Sequence, residues 1–304
     1  MGVVLVAAGL VAVLIAPHLF YPLFLIKMIC FCLFACGYKL AMGTAGLLSF
    51  GHAAFFGGAA YIAAHAAKVW GFPFELAVLV GTAGAALLGL AFGVISIRRH
   101  GIYFAMITLA LAQLVYFAAL QVPFTHSEDG IQGVPRGRLF GAFDLGNEMT
   151  MYAFVAVVAL AAFFLIYRII NSPFGEVLKA IRENEQRAVS LGYKTDDYKL
   201  VAFVLSATLA GLAGSVKALV FQLASLTDVH WTMSGEVVLM TLVGGLGTIF
   251  GPIVGAFLIV AMENYLAPFG QWVLVIQGAV FVICVLSFRR GIIGELAARL
   301  RVRL

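Results

Sequence analysis

Asn171–Lys199 reads NSPFGEVLKAIRENEQRAVSLGYKTDDYK, a long polar stretch set between two apolar runs, Met149–Ile170 and Leu200–Phe221. Ser172–Pro173 supplies a helix start, with the serine as N-cap and the proline in the first turn. Glu176 falls early in that helix, where a carboxylate suits the helix dipole. Val177, Ala180 and Ile181 form a narrow apolar face flanked by Lys179, Arg182, Glu183, Glu185 and Arg187, and Gly192 ends the helix. The stretch therefore reads as a short amphipathic helix tethered between two spans. Its basic residues belong to a cluster from Arg168 through Lys199, and two more clusters lie at Arg98–Arg99 and from Arg289 through Arg303. Basic clusters between apolar runs mark the cytoplasmic side, so this stretch fixes the orientation of the whole chain.

The composition agrees. Of 304 residues, 63% are hydrophobic and 11% charged, against roughly 25% charged in a soluble domain. Mean hydropathy is +1.06. There are too few polar residues to cover a soluble surface. A soluble enzyme, a disordered chain and a nucleic-acid binder are excluded, and an integral membrane protein facing lipid is expected. Lys and Arg outnumber Asp and Glu, 19 to 14, but the surplus sits in the three clusters. Cys30, Cys32, Cys36 and Cys284 lie in apolar runs with no His or carboxylate at metal-ligand spacing. They read as small buried hydrophobes, and no metal site is expected. Val3–Ala16 lacks a basic n-region before it and reads as a retained membrane segment.

A bilayer core needs about 20 apolar residues per helix. Candidates are Phe20–Tyr38, Leu47–Ala67, Phe74–Ile97, Ile102–Gln121, Met149–Ile170, Leu200–Phe221 and Gln271–Phe288, with a further apolar stretch, Glu236–Leu266, interrupted by Gly244, Gly245, Gly247, Gly251 and Pro252. A single crossing by that stretch would leave the Arg-rich tail outside, against the positive-inside rule. It is expected to dip in and return as two short helices broken at Gly244–Pro252. Such backbone is tolerated at membrane depth only where protein or a watery cavity covers it. The expected fold is thus all-α, a polytopic integral membrane protein. It has about ten transmembrane or half-membrane helices, both termini inside, and one domain over 1–304. Residues 171–199 form a cytoplasmic loop and 122–148 an external one.

The 33 glycines often neighbour other small residues, as in Gly81–Gly84 and Gly211–Gly214, which suits close helix packing. A weak internal echo pairs Gly43–Gly57, around Phe50–Gly51, with Gly244–Gly255, around Phe250–Gly251. Paired interrupted segments point to a transport site, and a chance match of common residues explains them equally. No Ser-His-Asp order, flanking carboxylate pair or P-loop is present, so the chain is not expected to hydrolyse ATP. Histidines 18, 52, 65, 100, 126 and 230 are scattered, and His52 and His65 read as satisfied core residues. Ion-coupled carriers place Asp, Glu or His inside the bilayer. Here Glu75, Glu236 and Glu263 sit near segment ends, and Lys217 is close enough to an end to snorkel. Lys27 falls within Phe20–Tyr38, where it either snorkels or marks a later span start. An external energy source is expected. The amphipathic helix is then either a solvated charged helix or an element that fits a partner's groove.

Four stretches in order carry a resemblance over most of the chain: Ala45–Tyr61 (AGLLSFGHAAFFGGAAY), Gly101–Gln113 (GIYFAMITLALAQ), Ser172–Gly192 and Gly244–Gly255 (GGLGTIFGPIVG). The chain resembles the permease subunits of branched-chain amino acid ABC importers, and the LivM-type partner in particular. That resemblance implies a second homologous permease subunit, two cytoplasmic ATPase subunits that hold the ATP and Mg²⁺, and a periplasmic substrate-binding protein. It implies no cofactor on this chain, which would sit among lipids of the bacterial inner membrane and bind no nucleic acid. By the same likeness Ser172–Gly192 is the coupling loop, with Phe174, Gly175, Lys179, Ala180, Arg182, Glu183 and Asn184 on the matched positions. Thr125–Pro135 is similar to an external loop suited to contact the binding protein. His126 and Ser127 stand where members commonly have glycines, and Tyr38–Lys39 departs from the more usual small polar residues.

The expectation is a permease half of an ATP-driven importer for a small, largely apolar zwitterion such as Leu, Ile or Val. Ser49, Phe50, Gly51 and His52 with Gly244, Gly245, Gly247 and Thr248 would line or shape the pathway. Urea, short amides or aromatic acids are alternative cargoes for the same importer class. A stand-alone carrier or channel is the alternative class.

Overall fold

The computed structural model describes residues 17, 21–139, 143–270, 272–288 and 291–299, so the expected first segment Val3–Ala16 lies outside the described residues. Helix α1, Pro22–Lys39, follows its N-cap Tyr21 with proline in the first turn and runs on into a π-turn, Leu40–Thr44. Then come α2, His52–Lys68, α3, Phe74–Ser96, and α4, Ile102–Gln121. A loop with short strands β1, Ile131–Gln132, β2, Arg138–Leu139, and β3, Phe143–Asp144, leads to α5, Glu148–Ile170. Two short helices, α6, Pro173–Glu183, and α7, Glu185–Ser190, precede the long α8, Thr195–Phe221. After β4, Leu223–Ala224, follow α9, Leu226–Val229, α10, Trp231–Gly244, α11, Gly251–Leu266, α12, Trp272–Ser287, and α13, Gly291–Arg299. Among the described residues six helices are long and apolar enough to cross a membrane, which makes this a polytopic, all-α membrane protein.

Helix α8 is the hub. It packs on α1, α2 and α3, and no hydrophobic drive favours such contacts in lipid, so close approach has to supply the attraction. Small residues permit it. A Cβ at Gly211 would lie 2.1 Å from Ala85 Cβ, and one at Gly214 would lie 1.9 Å from the Phe56 carbonyl oxygen. The tight-packing reading of the Gly211–Gly214 pair therefore holds. Ser206 adds a 2.6 Å hydrogen bond to the Gly37 carbonyl, and His52 Nε2 lies 2.9 Å from Ser206 Oγ. The outer helices differ. Most of the apolar stretch of α3, α4 and α5 is uncovered, whereas most of α8 is buried, and Leu79, Leu87, Val94, Leu114 and Phe164 stand exposed on the outer three. These apolar faces suit lipid or another membrane subunit.

The stretch Glu236–Leu266 does form two helices with a break, as expected, and α10 and α11 pack on each other as a hairpin. The break itself is narrower, residues 245–250, because Gly251 and Pro252 already belong to α11. The span expected over Leu47–Ala67 starts late: residues 45–51 are irregular and largely buried before α2 begins at His52. Both breaks share a local form. A helical segment ends, a glycine adopts positive φ (Gly46 +73°, Gly245 +112°), and a new helix opens at a Phe-Gly pair.

At the end of the bundle away from α6, the loop after α4 is tied down. Strand β1 pairs antiparallel with β4, Lys68 donates to the Gln132 carbonyl at 2.6 Å, and Arg136 donates through Nε and Nη2 to the Val220 carbonyl at 3.2 and 2.9 Å. The last contact occupies an orphan carbonyl at the end of α8. His126 and Ser127 adopt φ +58° and +55°, the left-handed region that favours glycine.

Candidate functional site

The α6–α7 segment starts as read from the sequence: the Ser172 side chain accepts from Gly175 N, and Pro173 and Glu176 occupy the first turn. Two expectations need correction. The stretch is not one helix ending at Gly192. It breaks at Asn184, whose backbone is extended (φ −155°, ψ 96°) and whose side chain caps α7 through Arg187 N at 3.0 Å. The buried face is not Val177, Ala180 and Ile181 but Gly175, Leu178 and Ile181, with Ala180 exposed. Leu178, read as no part of the face, is the residue one turn before Ile181 that meets the protein. Asn184→Ala is expected to weaken α7 by about 1 kcal/mol through loss of the cap. Limited proteolysis at residues 184–192 would register it as faster cleavage, and an unchanged rate would mean the cap carries nothing.

The buried face of α6 packs on α8 and on the π-turn, and the π-turn connects it to the hairpin. Arg182 donates through Nη1 to the Gly43 carbonyl. Gly46, at positive φ, leaves room for the Arg182 side chain, which would lie 2.8 Å from a Cβ there. A Cβ on Gly43 would meet Lys39 Cγ at 2.9 Å and the Leu246 carbonyl at 3.4 Å. Lys39, buried in the last turn of α1, donates to the Thr248 carbonyl. Gly291 at the start of α13 closes on Gly245 from the other side. The arrangement runs from an exposed helix, through a π-turn, to the irregular tip of a hairpin. π-turns inside helices recur at functional sites because the ladder can shift there.

The residues expected in the pathway divide. Gly244, Gly245, Gly247 and Thr248 lie at the hairpin tip beside Lys39 and the π-turn. Ser49, Gly51 and His52 are buried in the chain next to α8 and α4: Phe50 N donates to Thr108 Oγ1 at 3.2 Å, and His52 is enclosed by Tyr38, Phe55 and Phe203. Phe174 stacks on Tyr198 at 5.7 Å, and Lys179 pairs with Glu176 at 2.7 Å. Glu183 and Asn184 are exposed. Sequence reasoning missed Lys39 as an interior contact, although a lysine closing an apolar run was in view.

A second group of charges lies toward the opposite end. Lys217 does not snorkel: it pairs with Asp228, which is 1% exposed, and sits 5.7 Å over the Phe56 ring. Lys27 pairs with Glu263 at 3.0 Å, and it does not mark a late start, since α1 begins at Pro22. Glu236 faces Glu263 and both lysines. Two pairs of opposite charges, one joining α8 to α9 and one joining α1 to α11, thus come together from four helices, a juxtaposition that residue-by-residue inspection of separate spans could not reveal.

A family model described as branched-chain amino acid transport system, permease component, matches residues 21–285. The chain is similar to the high-affinity branched-chain amino acid transport system permease protein LivM of Escherichia coli, 25% identical over 290 residues, or 88% of this chain and 68% of the relative. It is also similar to the ribose import permease protein RbsC of Escherichia coli, 27% identical over 70% of this chain and 69% of that one. A shorter match, 33% identical over 32% of this chain and 29% of the relative, is to the autoinducer 2 import system permease protein LsrC of Yersinia pseudotuberculosis. No solved structure matches. With the family model spanning the bundle from α1 into α12, the chain belongs to the branched-chain amino acid transport system permease family.

Proposed function

We propose that the chain is the membrane-spanning permease subunit of an ATP-binding-cassette importer that moves branched-chain or other hydrophobic amino acids from periplasm to cytoplasm. The observation that carries the reading is the continuous contact from α6 through the π-turn to the hairpin tip, in a chain of this family. Residues 171–199 are cytoplasmic by the positive-inside rule, and residues 122–148 face the periplasm and the binding protein. ATP and Mg²⁺ sit on two separate ATPase subunits, a second homologous permease completes the pathway, and this chain needs no cofactor of its own. Phe174, Gly175, Lys179, Ala180, Arg182, Glu183 and Asn184 form the coupling element. Closure of the ATPases shifts it as a rigid body and biases the pathway between outward and inward states. Ser49, Phe50, Gly51 and His52 shape the wall beside α4 and α8, and Gly244, Gly245, Gly247 and Thr248 the inner end.

The likeness to a ribose import permease over 70% of the chain favours a second reading, the same importer class with a polar, uncharged cargo. One reconstitution tests both. Proteoliposomes holding this chain, its partner permease, the two ATPases and the binding protein are expected to take up leucine only with internal ATP. The double change Arg182→Ala and Glu183→Ala is expected to cut uptake at least about tenfold while ATP hydrolysis continues, because removing a charge-assisted contact costs on the order of 1.5–3 kcal/mol. Unchanged uptake would reject the coupling role. Ribose uptake without leucine uptake would favour the second reading, and leucine entry through this chain alone without ATP would make it a carrier.

A further inference from the structure

We propose that the hairpin tip between α10 and α11 is a carboxylate subsite on the solute's path, built from the Lys39 ammonium, the Thr248 hydroxyl and the N-terminus of α11. The inference rests on the transport reading above and narrows its cargo to solutes that carry a carboxylate.

Lys39 is 5% exposed, and a buried ammonium is normally matched by a carboxylate. Among the described residues Lys39 has no ion pair. Its hydrogen bond goes to a backbone carbonyl, that of Thr248. The charged residues that face it are Lys179 and Arg182 of α6, both cations, and Cys36 faces it from its own helix. Lys179 has Glu176 as partner and Arg182 has the Gly43 carbonyl, so Lys39 is left with its positive charge unmatched. An ammonium carries three donors and no acceptor, which leaves capacity beyond the Thr248 carbonyl.

Thr248 supplies the second observation. It is 6% exposed, and among the described residues its hydroxyl is enclosed without a hydrogen-bond partner, whereas buried polar atoms are nearly always paired. That hydroxyl is aimed at the first turn of α11: the Cβ that Gly251 lacks would lie 2.9 Å from it. Helix α11 is 16 residues long and opens on Gly251–Pro252. Pro252 has no N–H and Val254 N bonds the Phe250 carbonyl, which leaves the N–H groups of Gly251 and Ile253 without intrahelical acceptors, and the helix dipole favours an anion there. An ammonium, a hydroxyl and a helix N-terminus thus converge on one residue, and what they share is an unmet need for an acceptor with negative charge. A monovalent carboxylate matches one uncompensated cation, while a neutral sugar or amide would leave Lys39 unmatched. Broken helices in other transport folds meet substrate carboxylates with half-helix N-termini in the same way. Because the Thr248 carbonyl competes for Lys39, the site is weak, as fits a point of passage.

The test uses the full-length chain in nanodiscs and saturation-transfer NMR with three probes: leucine, isovalerate, which keeps the carboxylate and lacks the amine, and leucinol, which lacks the carboxylate. Leucine and isovalerate are expected to give saturable signals, and leucinol to bind at least about tenfold more weakly, the scale of one charge-assisted hydrogen bond. Lys39→Met is expected to weaken isovalerate binding at least about tenfold, Lys39→Arg to stay within about threefold, and Thr248→Val to weaken it several-fold by removing the hydroxyl at nearly constant volume. Thr248→Val keeps the test decisive should Lys39→Met fail to fold. Equal binding of leucinol and leucine, absence of any saturable carboxylate signal, or wild-type binding by Thr248→Val and Lys39→Met would overturn the subsite. Carboxylate binding that persists where ATP-driven leucine uptake fails would overturn the transport reading and leave the subsite standing.

Discussion

Lys217→Met is expected to lower the stability of the protein by about 3–5 kcal/mol, because it leaves the Asp228 carboxylate buried without its counter-charge. Asp228 is 1% exposed and lies on the four-residue helix α9, pressed against α2 where Gly57 makes room. Its Oδ1 has Lys217, and among the described residues its Oδ2 has no hydrogen-bond partner. Asp228→Asn is expected to cost a similar amount for the mirror reason, a stranded ammonium over the Phe56 ring. The double change Lys217→Met with Asp228→Asn removes both charges and is expected to recover most of the loss, since buried pairs gain little over neutral replacements. Lys27 and Glu263 make the comparison sharp. Their side chains are 33% and 22% exposed, so solvent screens them, and Lys27→Met is expected to cost no more than about 1 kcal/mol. Thermal unfolding midpoints of the detergent-purified variants check the set. Equal midpoints for Lys217→Met and Lys27→Met would show that burial of the pair is not what matters.

Gly244→Ala is expected to prevent the α10–α11 hairpin from closing. The new methyl would lie 1.8 Å from the Gly251 carbonyl oxygen and 3.0 Å from Gly255 N. Both neighbours are backbone, which cannot swing aside as a side chain can. Overpacking of this kind costs about 1–3 kcal/mol and more where backbone must move. Gly255→Ala is expected to behave alike, with its methyl 1.8 Å from the Met240 carbonyl oxygen. Gly247→Ala is the control: none of the described residues lies within 4 Å of its Cβ position and its φ is not positive, so stability should change by less than about 0.5 kcal/mol. The measurements are membrane yield and leucine uptake in the reconstituted importer. Normal uptake by Gly244→Ala would reject the tight hairpin. A loss of uptake confined to Gly247→Ala, with stability intact, would mark that glycine as part of the pathway surface.

Much of the architecture was legible because the signals were local. Ile102–Gln121 has the same bounds in sequence and structure, since Gly101 and Pro123 punctuate an unbroken apolar run. The interruption of Glu236–Leu266 followed from glycine density and charge parity. The start of α6 followed from Ser172–Pro173, a cap that needs no distant partner. The break at Asn184 escaped because its charged neighbours, Arg182, Glu183 and Glu185, all suit a helix, and Asn was not read as a second N-cap. The buried face of α6 was misassigned because a half-exposed Val177 and a buried Leu178 look alike in sequence.

The candidate site was only half legible. Gly244, Gly245, Gly247 and Thr248 were picked out by an interrupted helix, and the tertiary structure sets that interruption beside Lys39. Ser49, Gly51 and His52 were picked out by the same glycine pattern and lie in the chain's interior against α4 and α8. The pattern marks where backbone deviates, and it carries no information about which side the deviation faces.

Sequence alone determined that the chain lives in a membrane and where several of its helices start and stop, because hydropathy and capping act within a few residues of each other. Tertiary structure decided which charges meet. Lys39 met Thr248, 209 positions away in the sequence, Arg182 met Gly43, 139 away, and Lys27 met Glu263, 236 away. In an interior of low dielectric, a charge takes its meaning from its nearest partner rather than from its place along the chain, and only the folded arrangement of helices names that partner.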